Sequence, residues 1–139
     1  MTDIILKKLY DEDYGVQCQI KFIASVTFED FILTDEFWLS KQQLEELAEQ
    51  LNKKSGKILF GNKKKKHYCE FTTKQSARGY MNINYHYVKE DKYYDLQDNM
   101  DISLNTGYVI EPATLDRIVV KLRKFYSEPA GCELSLIKD

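Results

Sequence analysis

The sequence predicts an α+β fold, with an antiparallel sheet of about six to seven strands and two amphipathic helices packed on it. Strict apolar–polar alternation recurs along the chain, as in Val16, Cys18, Ile20 and Phe22 with Gln17, Gln19 and Lys21 between them, which is the period of a half-buried strand. Two other stretches repeat apolar residues at helical spacing: Leu44, Leu47, Ala48 and Leu51, then Leu115, Ile118, Val119, Leu122, Phe125 and Tyr126. Ten Tyr and seven Phe in 139 residues add to the strand signal, because aromatic rings pack well on a pleated surface. The length suits a single domain over residues 1–139, large enough to form one core without disulfide staples.

The elements follow in order. Ile4 to Tyr10 reads as a strand, Asp11 to Gly15 as a turn, and Val16 to Phe22 as the second arm of a hairpin. A further extended segment runs through Val26, Phe28 and Phe31 to Trp38. The first helix is predicted from Lys41 to about Lys54, because Ser40 and Gln43 stand at the spacing of a capping box and Leu39 and Leu44 at that of a hydrophobic staple. Gly56 supplies its expected stop. Strands are then predicted at Ile58 to Phe60, Tyr68 to Thr73 and Tyr80 to Val88, with Met81, Ile83, Tyr85 and Tyr87 on one face of the last. After a polar stretch from Glu90 to Asn99 comes a strand with Ile102, Leu104, Thr106 and Tyr108 on one side. A second helix begins near Pro112, where a missing N–H is tolerated, and ends before Pro129 and Gly131. Cys132, Leu134 and Leu136 suggest a last short strand.

Several function classes find no support in the residues. No apolar run approaches the roughly 18 residues of a membrane span, and the amino end lacks the pattern of a secretory signal, so a cytoplasmic location is expected. Cys18, Cys69 and Cys132 are odd in number and scattered, which fits neither a disulfide framework nor a C-x-x-C motif; they read as reduced, largely buried residues. Only His67 and His86 could act as the usual general base, and His67-x-Cys69 lacks further ligands at metal spacing. Glycine-rich phosphate loops are missing. The expectation is therefore a protein that is not an enzyme, with no catalytic residue, metal or cofactor.

Two charged segments remain as candidate interfaces. Lys63 to Lys66 lies at a predicted hairpin tip, where lysines either grip phosphate or simply keep an edge soluble. With a net charge of −2, nucleic-acid binding is the weaker alternative. The second segment holds Glu90, Asp91, Asp95 and Asp98 around Tyr93 and Tyr94. Aromatic anchors ringed by carboxylates suit an interface with a basic protein; the same residues would also make an ordinary polar loop with its rings folded onto the sheet.

The Phe37-Trp38-Leu39-Ser40 lead into an amphipathic helix, the meandering strands after it, and the passage from Met100-Asp-Ile-Ser-Leu to Leu115-Asp-Arg-Ile-Val-Val-Lys-Leu together resemble the WapI-type immunity proteins of contact-dependent growth inhibition and other polymorphic toxin systems. The resemblance covers Phe37 to Phe125 as a pattern. It implies a bacterial cytosolic protein whose partner is a cognate toxin domain, in many cases a nuclease. Toxin-facing surfaces vary within such families, so the partner-binding candidates Glu90, Asp91, Tyr93, Tyr94, Asp95 and Asp98 rest on their own chemistry.

Overall fold

The computed structural model describes residues 2–12, 15–26, 29–53, 55–92 and 99–138. Among them the chain forms β1 (Asp3–Glu12), β2 (Gly15–Val26), β3 (Glu29–Leu39), α1 (Lys41–Lys53), β4 (Ser55–Asn62), β5 (His67–Gln75), β6 (Met81–Lys92), β7 (Asn99–Ile110), α2 (Pro112–Phe125) and β8 (Glu133–Ser135). The α+β class and the two helices are as the sequence predicts. The sheet is not: eight strands build two four-stranded antiparallel sheets, ordered β3-β2-β1-β8 and β4-β5-β6-β7. The cause is α1. β1 pairs with β2 and β2 with β3, and again β4 through β7 in order, each pair only a few residues apart in sequence, whereas a helix of roughly 20 Å separates β3 from β4 and ends the first meander.

The two sheets turn their apolar faces to each other and share one buried cluster with both helices. Rings join them across the gap: Phe22 of β2 stacks on Tyr85 of β6 at 6.2 Å between centroids, and Phe37 of β3 meets Tyr87 of β6 edge-on at 6.4 Å. These offset and T-shaped arrangements are the ones the ring quadrupole favours. The alternation of β6 is realised, with Met81, Ile83, Tyr85 and Tyr87 all buried. The outer face of the β4–β7 sheet carries the other set, including Asn82, Asn84, His86 and Val88.

The helix ends explain themselves. Gln43 N–H donates to Ser40 Oγ at 3.1 Å while Ser40 N–H donates to Gln43 Oε1 at 2.9 Å, a complete capping box. Gln43 Nε2 also donates to the Leu59 carbonyl at 3.2 Å, fastening the start of α1 to β4. Gly56 is not the helix stop; it is the second residue of β4, where a Cβ would stand 2.5 Å from Gln50 Cγ, so its missing side chain is what lets α1 lie against this strand. At the other end of the chain Lys8, only 1% exposed, reaches from β1 to the end of α2. Its ammonium donates to the carbonyls of Tyr126 at 2.7 Å and Glu128 at 2.5 Å and pairs with Asp11 at 2.7 Å, satisfying acceptors that a helix terminus leaves open.

Cys18 and Cys69 are free and buried, as expected, and burial pushes the Cys18 thiol up to about 12. Cys132 is the exception, being only partly buried. No helix among the described residues is long and apolar enough to cross a membrane.

Candidate functional site

The described start of the acidic segment lies beside the lysine turn. β6 and β7 pair without a register break from Met81 opposite Ile110 to Lys92 opposite Asn99, whereas β5 follows β6 only as far as His67 opposite Lys89. Glu90, Asp91 and Lys92 are therefore strand residues and not loop, in a two-stranded arm that outruns the rest of its sheet. Their predicted assignment to a loop fails because polarity alone does not break a ladder whose backbone partners are present. The lysine turn meets the base of this arm. The Glu90 amide donates to the Lys66 carbonyl at 2.9 Å, and the Lys66 ammonium pairs with the Glu90 carboxylate at 2.9 Å. The hydrogen bond from Lys66 to Glu90 and that carboxylate's charge, with a smaller contribution from Asp101, raise the Lys66 pKa above its ordinary value.

Of the six partner-binding candidates, Glu90 is thus placed at the root of the arm and already has a partner. Asp91 is placed by its backbone, opposite Met100. Tyr93, Tyr94, Asp95 and Asp98, and the side chain of Asp91, lie outside the described residues.

The lysines of the turn do not form an unbroken basic patch. Lys63 sits 5.8 Å above the Tyr68 ring, Lys57 pairs with Glu70 at 3.2 Å, and Lys66 is held by Glu90. Carboxylates thus interleave with the cations on the outer face. On the same face His86 lies 6.1 Å from Tyr68, and Gly107 leaves a shallow depression of about 370 Å³ between Thr72, Asn84 and Val109.

A second polar cluster, which sequence reasoning missed, bridges the sheets. Asp35 of β3 accepts hydrogen bonds from Tyr87 OH at 2.5 Å and from His67 Nε2 at 2.6 Å, and its other oxygen accepts from the Glu36 amide at 2.7 Å. Gly61 makes the approach possible: at φ +96° it takes a left-handed conformation, and a Cβ there would stand 2.5 Å from the His67 carbonyl and 2.9 Å from the Phe37 ring. Asp35 shares its strand face with Leu33, Phe37 and Leu39, and an acid in an apolar alternating series was the available signal. The predicted setting of His67 beside a buried Cys69 is observed, with Asp35 as the added partner.

Burial opposes ionisation of Asp35, yet the hydrogen bonds from Tyr87, His67 and the Glu36 amide, with the charge of His67, hold its pKa below the ordinary 3.8. A carboxylate depressed by folding contributes stability that is fully present above its unfolded pKa and is lost as pH falls through the folded one. Asp35→Asn is therefore expected to unfold at lower urea than the parent at pH 7 and to show a smaller further loss between pH 5 and pH 2. Parallel pH profiles for the two proteins would contradict this role.

In chemical terms the cluster is a strut. Its carboxylate is largely enclosed, at 13% exposure, and its hydrogen-bonding capacity goes to groups on β3, β5 and β6. No family model, curated protein or solved structure matches this chain.

Proposed function

We propose that the chain is an immunity-type binding protein that neutralises a cognate bacterial toxin domain by covering its active site, with the acidic, tyrosine-bearing segment from Glu90 to Asp98 as the contact. The observation that carries this reading is the arm itself. The β6–β7 ladder continues three residue pairs past its neighbour, and the sequence that connects its two strands, outside the described residues, is two tyrosines followed by Asp95, Leu96, Gln97 and Asp98. Anchoring the base of such a segment reduces the ordering entropy that association would otherwise cost. The aromatic and acidic composition suits a basic cleft, as in a nuclease, where tyrosines supply buried anchors and carboxylates steer the encounter. The resemblance from Phe37 to Phe125 supports the same reading.

The test is neutralisation. A toxin domain encoded beside the chain should lose its activity at one-to-one stoichiometry when the purified chain is titrated in, and a complex that leaves the toxin fully active would remove occlusion as the mechanism. The alternative, nucleic-acid binding through Lys63 to Lys66, is weakened by the pairing of Lys57 and Lys66 with carboxylates. Titration with single-stranded DNA should accordingly show no steep salt-dependent binding of the kind that phosphate contacts impose.

A further inference from the structure

The four sheet edges are not protected alike. β3 carries Glu29, Asp30, Asp35 and Glu36 along its length, β8 has only three residues, and β4 is tied through its Leu59 carbonyl to α1. Charges, shortness and cover are the usual means by which an edge avoids pairing with another chain. β7 is neither short nor covered among the described residues, and its one charge, Asp101, lies near its start. Among the described residues it is hydrogen-bonded to β6 alone, over twelve residues without a bulge, and its nine residues from Ile102 to Ile110 include no charge and no proline. Its inward-facing Ile102, Leu104 and Tyr108 pack against the core but remain only partly buried, and Val109 on the outer face is 62% exposed.

We propose that β7 pairs antiparallel with β7 of a second copy of this chain, joining two four-stranded sheets into one of eight. The occupant follows from self-complementarity. The uncharged stretch is symmetric about Thr106, and a two-fold axis there keeps every side chain on its own face. Leu104 then lies opposite Tyr108 of the second copy and Ile102 opposite Ile110, apolar pairs of the kind that stabilise adjacent strands, while Asn105 faces Gly107, which has no side chain to oppose it. Asp101 and Glu111 fall just outside the paired stretch, exposed to solvent, where salt screens their repulsion. The two β6–β7 arms would point away from each other, so this association is independent of the toxin-binding reading.

Sedimentation velocity of the full chain at about 100 µM, enough to populate a dimer of micromolar Kd, should show the dimer. Thr106→Lys places two ammonium groups opposite each other at the axis and should raise the dissociation constant roughly a hundredfold or more. Ser103→Cys with Val109→Cys provides a check that does not depend on tolerating a lysine. These exposed positions face each other across the axis, within disulfide reach, and mild oxidation should give a covalent dimer that neither single variant forms. A monomeric parent protein, a dimer indifferent to Thr106→Lys, or failure of the double-cysteine protein to cross-link would each overturn the proposal.

Discussion

Replacing Tyr93 and Tyr94 together by alanine is expected to weaken the complex with the toxin domain by roughly 4 kcal/mol, about a thousandfold in Kd. Buried tyrosines at the centre of an interface lose both contact area and a hydrogen-bonding tip when truncated. The flanking carboxylates should behave differently. Asp95→Asn and Asp98→Asn are expected to slow association and reduce its salt dependence, with a smaller change in the lifetime of the complex. Calorimetry on the tyrosine variant and stopped-flow association on the aspartate variants separate the two effects. An unchanged affinity after loss of both rings would remove the arm from the interface.

Lys8 is expected to give the largest effect on stability of any single lysine. Lys8→Ala leaves the carbonyls of Tyr126 and Glu128 without their charged donor and removes a fully buried aliphatic stem, for a loss of roughly 3–5 kcal/mol in urea denaturation. Lys8→Met retains most of the stem and should recover about 1 kcal/mol of that. If both variants stayed within about 0.5 kcal/mol of the parent, the ordinary range of surface substitutions, the ammonium would be ornamental and the end of α2 would be held by backbone contacts alone.

Local features of the fold were legible wherever the signal lay in neighbouring residues. The capping box at Ser40 and Gln43, Pro112 at the start of α2 and the alternation of β6 are all decided within a turn or a strand. Features that depend on residues far apart in the chain were not. Nothing in the alternation of β3 and β4 says that they belong to different sheets, because period two records which face is buried and not which strand lies alongside. Gly56 carried a plausible local meaning as a helix stop, and the meaning that holds, contact with Gln50, is tertiary. The union of Asp35, His67 and Tyr87 spans 52 residues of sequence between its ends. The acidic segment was legible as composition, and its bracing at Glu90 by Lys66 was not, since the two charged runs had seemed to be rival interfaces.

The pairing of β1 with β8 bears on how the molecule is made. Ile5 sits opposite Ser135 and Leu6 opposite Leu134, and the Lys8 amide and carbonyl are taken by Cys132 and Gly131. During synthesis at roughly 5–20 residues per second, the first strand therefore waits on the order of 10 s for its second neighbour to emerge. In that interval Ile4, Leu6 and Cys18, all fully buried at the end, have no completed core to enter, and one side of β1 is an open template for any other strand. Contacts closing so much of the chain also place the molecule among slow folders. Docking of Glu133–Ser135 with the tail of α2 onto Lys8 closes that side of β1, and yield in the cell should depend on how well the nascent strand is shielded until then.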